Sequence, residues 1–347
     1  MGIGPVHEAL HKAVGREHLT EREASAALEE ILEGEVDPAV TAGLLTALRM
    51  KGETVDEIVG FARAMRSHAA KVEPKAVTPS QLVDTCGTGG DGRNTFNIST
   101  ASAFVVAGAG AAVAKHGNRS ISSQCGSADV LEALGANVQL TPEQAAEAID
   151  TVGVGFLFAP LIHPAMKHVQ PVRRALKMRT VFNLLGPLTN PAGAGAQVVG
   201  VYHGRLVSIV AEALLRLGVR HAFVVHGSDG LDEITTTGRT HAAEVCDGAV
   251  AMRELSPEEF GVEQARAEDL SGGDREENAL IIRRILEGAH GPRPDIVVVN
   301  AAAALVAAGH AANFLDGAVQ ARQAIESGAA LDKLERFVER TSEYRAE

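Results

Sequence analysis

Apolar residues in the first 75 positions recur with the period of an α-helix. Val40, Leu44 and Leu48 would share one face of a helix, and Ile58 and Ala62 would share one face of the next. Residues typical of helix starts precede these runs. Thr20 with Glu23 and Thr54 with Glu57 form capping boxes, and Asp37 is a cap residue followed by Pro38. The pattern predicts a small helical domain over residues 1–75.

Short apolar runs that alternate with helical segments begin at Leu82. The predicted strands cover residues 82–84, 112–114, 136–140, 155–159, 197–202, 221–225 and 295–299. Helices are predicted between them, over residues 99–109, 127–134, 142–152 and 206–217. This alternation predicts a larger α/β domain over residues 80–347, in which helices flank a central, mostly parallel sheet.

Two stretches interrupt the alternation. Residues 163–191 are helical and polar, and we expect them to form an insert beside the amino-terminal domain. Residues 240–255 alternate between apolar and polar positions like a β-hairpin. Ligands of open α/β sheets bind at the carboxyl ends of the strands, so the strand-to-helix loops are where a site should lie.

Composition narrows the possible partners. The chain has 347 residues and a formal charge of −12, which argues against a protein that coats nucleic acid or an anionic membrane. The sequence contains no run of about 18 apolar residues, so it predicts no membrane span, and the first residues lack the apolar core of a signal peptide. Three widely spaced cysteines form neither a disulfide framework nor a zinc motif, which favours the cytoplasm.

The first predicted strand runs into a glycine-rich loop, GTGGDG, at residues 87–92. Its glycines fit the dinucleotide fingerprint, but the helix begins too late and no acid follows the next strand. The Walker pattern also fails, because no Gly-Lys-Ser/Thr follows. Two interpretations remain: a tight structural turn, or a loop that binds an anion together with Asn97, Ser99 and Thr100 at the helix start.

A second polar loop follows the next predicted strand. Residues 115–123, KHGNRSISS, contain two cations, an amide and three hydroxyls. Adjacent parallel strands would bring this loop to the same side of the sheet as the glycine loop. Together the two loops indicate a site for a heavily phosphorylated ligand, which would be locally positive within an acidic protein.

Two further features have both a neutral and a functional interpretation. Asp232 and Glu233 follow the strand at 221–225; they are either solvated loop acids or ligands of a Mg²⁺ ion that bridges to phosphates. Arg173 lies on the polar insert, where its guanidinium could cover a surface or bind a carboxylate at two points.

These motifs closely resemble those of the anthranilate phosphoribosyltransferases of tryptophan biosynthesis. The matching segments, in the family's order, are DTCGTGGDGRNTFNIST (84–100), KHGNRSISSQCGSADVLEALG (115–135), HPAMK (163–167), TVFNLLGPLTNPAG (180–193) and GLDE (230–233). The resemblance covers nearly the whole chain. It implies transfer of the phosphoribosyl group of 5-phospho-α-D-ribose 1-diphosphate (PRPP) to anthranilate, which gives N-(5-phosphoribosyl)anthranilate and diphosphate.

The resemblance also assigns residues to the site. It implies PRPP binding by Gly87, Gly90, Asp91, Thr95, Asn97, Ile98, Ser99, Thr100, Lys115, His116, Gly117, Asn118, Arg119, Ser120, Ile121, Ser122, Ser123 and Ser127. It implies anthranilate binding by Gly87, His116, Asn118 and Arg173, and Mg²⁺ binding by Ser99, Asp232 and Glu233. Gln124 is a small departure, because the family often has a basic residue there.

The same resemblance implies a mechanism and an assembly. Catalysis would rest on positioning and electrostatics, with no side chain acting as acid or base, and with two Mg²⁺ ions per monomer. The family is commonly a homodimer through its helical domains. Two alternatives stay open: a pyrimidine nucleoside phosphorylase-like enzyme, and a transferase-like protein that binds nucleic acid, although the net charge of −12 argues against the latter.

Overall fold

The computed structural model describes residues 4–120 and 124–344. The helices are α1 (Pro5–Val14), α2 (Glu21–Glu33), α3 (Pro38–Lys51), α4 (Val55–Ser67), α5 (Ile98–Gly108), α6 (Ser127–Ala133), α7 (Pro142–Val152), α8 (Ala159–Ile162), α9 (Gln170–Leu176), α10 (Phe182–Leu188), α11 (Leu206–Arg216), α12 (Arg275–Leu286), α13 (Pro292–Ala308), α14 (Phe314–Glu326) and α15 (Ala329–Glu343). The strands are β1 (Leu82–Gly87), β2 (Ala112–Gly117), β3 (Val154–Phe158), β4 (Ala196–Gly200), β5 (His221–Gly227), β6 (Thr240–Cys246) and β7 (Ala249–Leu255).

The amino-terminal helices begin where the sequence predicts. Thr20 accepts a hydrogen bond from the Glu23 amide, and Thr54 accepts one from the Glu57 amide, so both capping boxes are formed. Asp37 caps α3 through the Ala39 amide. These caps satisfy amides that the first helical turn leaves unpaired, which fixes the start of each helix.

One seven-stranded sheet forms the centre of the larger domain, in the order β3-β2-β1-β4-β5-β6-β7. The first five strands in this order are parallel, and β6 and β7 add an antiparallel edge. The carboxyl ends of β1, β2, β4 and β5 therefore lie side by side. The predicted fold class, a small helical domain with an α/β domain around a mostly parallel sheet, is confirmed, as is the hairpin.

Apolar residues cover both faces of this sheet. On one face, α13 packs against α5 and α14, and its Ile296–Leu305 segment is almost entirely buried. On the other face, α4 packs against α11, and one continuous apolar cluster joins α1–α4, α10 and α11 to β4 and β5. The amino-terminal helices therefore share a core with the sheet. Arg66 of α4 adds polar contacts by donating to the carbonyls of Leu188 and Leu217.

Two predicted strands are wrong. Residues 136–140 form an irregular segment, in which the Asn137 amide donates to Thr341 of α15 instead of to a strand. Residues 295–299 belong to α13, since this apolar run continues into nine further helical residues, Asn300–Ala308. Short apolar runs fit a buried strand and a buried helix equally well, and here the length of the element decides.

Residues 163–191 contain α9, α10 and a short 3₁₀ helix, Pro164–His168, and they lie against the amino-terminal helices. α9 packs on α3, and the segment around His168 packs on α2. A Cβ atom on Gly34, at the end of α2, would clash with the His168 ring, so this contact requires glycine. Within the described residues, no helix has both the length and the apolar character that a bilayer crossing needs.

Candidate active site at the carboxyl ends of the strands

The glycine-rich loop that leaves β1 folds back onto the acid pair. Gly89, Gly90 and Gly92 have φ values of 66°, 75° and 76°, which side chains other than glycine rarely adopt. The Gly89 amide donates to Oδ2 of Asp232 at 2.7 Å. A Cβ atom on Gly87 would lie 2.7 Å from the same oxygen. The loop's glycines thus allow a close approach between backbone and carboxylate.

Asp232 and Glu233 lie half-buried above the ends of β1, β4 and β5. Glu233 accepts from the amide of Ser99, at the start of α5, with a distance of 3.2 Å. Burial, reinforced by the Asp91 carboxylate, raises the pKa of Asp232 to about 7. Burial, reinforced by Asp232, raises the pKa of Glu233 to about 8. The protein therefore holds the carboxyl groups of Asp91, Asp232 and Glu233 close together in a place where burial disfavours their charged forms.

The donor set at this place suits a hard divalent cation. Asp232, Glu233 and the hydroxyl of Ser99 offer oxygen atoms, which Mg²⁺ prefers. Burial and, after it, repulsion between carboxylates raise both pKa values, and the charge of a divalent cation would offset both causes. Both observations fit a magnesium site at the three residues for which the sequence predicted one.

Lys115 is the buried cation next to the acid pair. Only 3% of this residue is exposed, and its Nζ donates to the Thr85 carbonyl and to Ser99 Oγ, the latter at 3.3 Å. Burial lowers the pKa of Lys115, while nearby acids act in the opposite direction. Lys115 therefore connects β1, β2 and the start of α5 beneath the predicted phosphate site.

The second loop leaves β2 and is held by hydrogen bonds to α6. The Asn118 amide donates to Ser127 Oγ at 3.2 Å, and Ser127 Oγ donates to the Asn118 carbonyl at 3.1 Å. The Arg119 guanidinium pairs with Asp129 and Glu132, at 2.8 and 2.7 Å. Its charge is thus already partnered by two acids of α6. Three residues predicted to bind PRPP lie outside the described residues: Ile121, Ser122 and Ser123.

His116 is fixed by a buried network. Its amide donates to Asp84, which is fully buried and also accepts from the Asn190 side chain at 2.8 Å. Its ring Nδ1 lies 3.0 Å from the Gly186 carbonyl, so Nδ1 carries the proton. Nε2 is then an acceptor, and it has no hydrogen-bond partner among the described residues. Burial lowers the pKa of His116, which keeps the ring neutral.

Two more candidate site residues, His163 and Arg173, belong to the insert at 163–191. The His163 ring centroid lies 5.2 Å from that of His116, and its buried Nε2 also has no partner within the described ranges. Arg173 of α9 is half-buried, and its guanidinium carbon lies 5.7 Å from the centroid of the Phe182 ring. Burial lowers the pKa of Arg173, and no described acid forms an ion pair with it. It is thus a cation available to an anionic ligand.

The other predicted residues lie along the same edge. Gly117 ends β2, Ile98 begins α5, Thr95 pairs with Ser271 across a short bridge, and Thr100 is buried with no described partner for its hydroxyl. Asn97 donates to the Cys125 carbonyl and so ties α5 to the segment before α6. Most of the predicted site residues that the structure describes lie on β1, β2, α5, α6 or α9, or in the loops next to these elements. The exceptions are Asp232 and Glu233, which lie in the loop after β5.

Sequence reasoning missed several residues that support the site. Asn278 of α12 donates to Asn97, and no pattern marked it in the sequence. Arg179 donates to the Gly90 carbonyl and lies over the Tyr202 ring, 4.2 Å from its centroid. Asp84 and Asn190 stood within the matched motifs but received no role. Both residues are buried in the structure, and the apolar residues near them in the sequence were the signal that could have indicated this burial.

Comparison with known proteins gives the class first. Two family profiles match the chain: "Glycosyl transferase family, helical bundle domain" over residues 7–69, and "Glycosyl transferase family, a/b domain" over residues 79–331. The protein is thus a glycosyltransferase with a helical bundle domain followed by an α/β domain. Individual relatives narrow this class.

An anthranilate phosphoribosyltransferase from Solibacter usitatus is 58% identical over 94% of this chain and 95% of its own length. The crystal structure of the Thermus thermophilus enzyme matches with a TM-score of 0.91 and 47% identity, over 96% of this chain and 99% of that one. The Saccharomyces cerevisiae enzyme in complex with PRPP and Mg matches with a TM-score of 0.88 and 29% identity, over 97% and 98%. The chain belongs to the anthranilate phosphoribosyltransferase family.

Proposed function

We propose that this protein transfers the phosphoribosyl group from PRPP to anthranilate, which gives N-(5-phosphoribosyl)anthranilate and diphosphate, a step of tryptophan biosynthesis. One observation carries the proposal most directly. The Asp232–Glu233 pair accepts from Gly89 of the glycine loop and from Ser99 at the start of α5, and Lys115 of the second loop also donates to Ser99. Amides, hydroxyls and a carboxylate pair together suit a polyphosphate bound with a divalent cation.

PRPP binds along both loops in this proposal. The amides of the glycine loop and the start of α5 face the diphosphate, and the second loop holds the phosphoribosyl part. The residues assigned to PRPP are Gly87, Gly90, Asp91, Thr95, Asn97–Thr100, Lys115–Ser123 and Ser127. Lys115 contributes charge from below, since its buried ammonium already lies against Ser99. Arg119 contributes its backbone and the shape of the loop, because its guanidinium is held by two acids.

Mg²⁺ binds at Ser99, Asp232 and Glu233, and we propose two ions per monomer. When bound, Mg²⁺ stabilises the negative charge that builds up on the departing diphosphate. The protein's part is to hold the two carboxylates apart from solvent and at fixed positions. Contacts from the Gly89 and Ser99 amides support this role, since each fixes one carboxylate oxygen.

Anthranilate binds between the second loop and the insert, where Gly87, His116, Asn118 and Arg173 are assigned to it. Arg173 pairs with the carboxylate, which its lack of a described acidic partner supports. His116 Nε2 accepts a hydrogen bond from the aromatic amine, because the Gly186 carbonyl holds the ring's proton on Nδ1. Together these contacts would point the amine towards the sugar.

In this scheme, the amine of anthranilate needs no proton removed from it before it attacks the anomeric carbon. An aromatic amine is neutral at pH 7 and already offers its lone pair. The barrier lies in breaking the bond between the anomeric carbon and diphosphate, so stabilising the leaving group and aligning the nucleophile are the main tasks. No side chain is assigned as a catalytic acid or base.

The organisation of the molecule fits this scheme. We propose a helical domain over residues 1–75 with the insert 163–191 beside it, and an α/β domain over residues 80–347. The insert contacts both parts, so movement of the helical domain would carry Arg173 towards or away from the loops. We further propose a cytoplasmic homodimer, which takes small molecules as substrates and binds neither nucleic acid nor membrane.

The reaction can be tested by following anthranilate fluorescence. A decay that requires both PRPP and Mg²⁺, and that stops with excess chelator, is the expected result. Folded protein that gives no decay would overturn the proposal. A nucleoside with phosphate serves as the matched control reaction, because phosphorolysis there would favour a pyrimidine nucleoside phosphorylase-like enzyme instead.

A further inference from the structure

Three potential metal ligands of different kinds lie together far from the proposed active site. They are His221, at the first position of β5, and Glu244 and Cys246, at the end of β6. One ligand atom from each residue lies within 4.8 Å of the other two. Glycosyl transfer as described above uses none of these side chains.

Strand register explains why they converge. β5 and β6 are antiparallel, with Phe223 opposite Glu244 and Ala222 opposite Val245, which places His221 opposite Cys246. Side chains of opposed residues, and of residues two apart, project from the same face of a sheet. The imidazole, the carboxylate and the thiol therefore share one face, on a rigid pair of strands.

The geometry is close to that of a coordinated ion. His221 Nε2 lies 3.0 Å from Glu244 Oε1. Zinc bonds of about 2.0–2.1 Å to nitrogen and oxygen and about 2.3 Å to sulfur put ligand atoms roughly 3.3–3.6 Å apart. The side chains of His221 and Glu244 are 12% and 19% exposed, and Cys246 is half-buried. Small rotations of the side chains would thus complete the site, and an ion can reach it from solvent.

We propose that His221, Glu244 and Cys246 bind Zn²⁺, with water as the fourth ligand. Imidazole nitrogen, carboxylate oxygen and thiolate sulfur are the three donor types that zinc uses in proteins. The Cys246 thiol releases its proton to solvent when the ion binds. The thiolate and Glu244 then carry two negative charges, which balance those of Zn²⁺.

Neighbouring charges leave the required atoms accessible. Arg253 Nε lies 3.3 Å from Glu244 Oε2, so this arginine occupies the oxygen that does not face His221. Burial, followed by the Asp247 and Glu244 carboxylates, raises the pKa of Cys246, and Arg220 acts in the opposite direction. Without an ion, the same geometry is a hydrogen bond between His221 and Glu244. The distinguishing property is therefore the participation of Cys246 sulfur.

This site is separate from the proposed magnesium site. His221 begins β5 and the acid pair follows its end, so the seven-residue strand, about 20 Å long, lies between them. The chemistry differs as well, because Asp232, Glu233 and Ser99 offer only oxygen. A signal that depends on the sulfur of Cys246 therefore reports the new site alone, whether or not the proposed transferase reaction is correct.

Cobalt provides the test. Co²⁺ replaces Zn²⁺ in such sites, and a bound thiolate gives a ligand-to-metal charge-transfer absorption band in the near ultraviolet. Titration of the full-length, metal-free protein with Co²⁺ is expected to produce this band at one equivalent. Zn²⁺ should abolish it and Mg²⁺ should not, since zinc binds more tightly than cobalt to these donors. A cobalt titration of the wild-type protein without any charge-transfer band would overturn the proposal.

Variants assign the band to its ligands. Cys246→Ser should abolish it, while Cys125→Ser, a change to a cysteine beside the active site, should leave it intact. His221→Gln should weaken Co²⁺ binding at least tenfold. In the wild-type protein, Zn²⁺ at about 100 times its Kd should raise Tm by about 2–5 °C, and Cys246→Ser should remove this rise. A band that persists in Cys246→Ser would contradict the assignment.

Discussion

Two loops at the carboxyl edge of the sheet both attach their backbone amides to a carboxylate, yet the two carboxylates behave in opposite ways. In the first loop, Gly89 donates to Asp232. In the second, Ser120 and Gly126 donate to Asp129, at 3.2 and 2.9 Å. The hydrogen bonds from loop amides alone therefore do not distinguish Asp232 from Asp129.

Electrostatics separates the two cases. Burial and the neighbouring Asp91 raise the pKa of Asp232. Burial also acts upwards on Asp129, but the amides of Gly126 and Ser120 and the Arg119 side chain outweigh it and lower the pKa of Asp129. Asp129 is an acid whose contacts compensate for its burial, whereas burial and repulsion at Asp232 exceed what its amide contact supplies, and the proposed Mg²⁺ would offset them. The direction of the pKa shift therefore distinguishes a structural carboxylate from one placed for function.

Removing the acid pair should have the largest effect on activity. Asp232→Ala combined with Glu233→Ala is expected to lower kcat by about 10²–10³-fold at limiting Mg²⁺, because the charge on the leaving group is no longer balanced. Steady-state kinetics measure this loss. The free energy of unfolding should be no lower than that of the wild type, since the removed groups repel each other. Wild-type turnover in this variant would refute the assignment of the acid pair.

Arg173 should affect one substrate more than the other. Arg173→Gln is expected to raise KM for anthranilate by about 10- to 100-fold and to leave KM for PRPP nearly unchanged, because one charge-assisted contact is lost. The neighbouring exposed residue provides a matched control, and Arg174→Gln should change neither constant. Equal increases in both KM values would place Arg173 outside the acceptor pocket.

Asp129 should matter for stability more than for chemistry. Asp129→Ala leaves two amides without their acceptor and removes one of the two acids that hold Arg119, so the free energy of unfolding at pH 7 should fall by about 2 kcal/mol. The lowered folded-state pKa means that this contribution is present above the unfolded pKa and is lost as pH falls through the folded one. Urea unfolding at neutral and acidic pH would show the difference shrink. A constant difference would contradict the account.

His163 should produce the smallest effect, a change in pH dependence. Burial, with help from His116, lowers the pKa of His163 to about 3, so below pH 6.5 the unfolded chain binds a proton that the folded chain excludes. His163 therefore destabilises the fold as pH falls from 7 to 5.5, by about 1 kcal/mol. His163→Gln should remove that part of the slope in urea unfolding, and an unchanged slope would contradict the burial of a neutral His163.

Local signals in the sequence predicted most of the fold. Capping residues such as Thr20 and Thr54 mark helix starts through their own hydrogen bonds, so these elements could be placed without knowledge of the tertiary structure. The segment 295–299 could not be placed in this way. Its apolar residues fit either element, and only packing of the whole of α13 against α5 and α14 selects the helix.

The site was predictable where chemistry is concentrated in one stretch of sequence. The glycine loop, the loop after β2 and Asp232–Glu233 each stand out locally. Asn278 does not, because its contact to Asn97 joins residues 181 positions apart. The sequence also does not show that the pKa values of Asp129 and Asp232 shift in opposite directions, because these shifts depend on burial and on neighbours that the fold brings together.

Mn²⁺ binding tests the central claim most directly, because it reports the proposed metal site independently of turnover. Electron paramagnetic resonance of Mn²⁺, used in place of Mg²⁺, would count the ions held by the wild-type protein with PRPP. We expect two ions per chain, with binding strongly weakened in Asp232→Ala plus Glu233→Ala and retained in Asp129→Ala. Equal Mn²⁺ binding by the wild type and the double variant would contradict it.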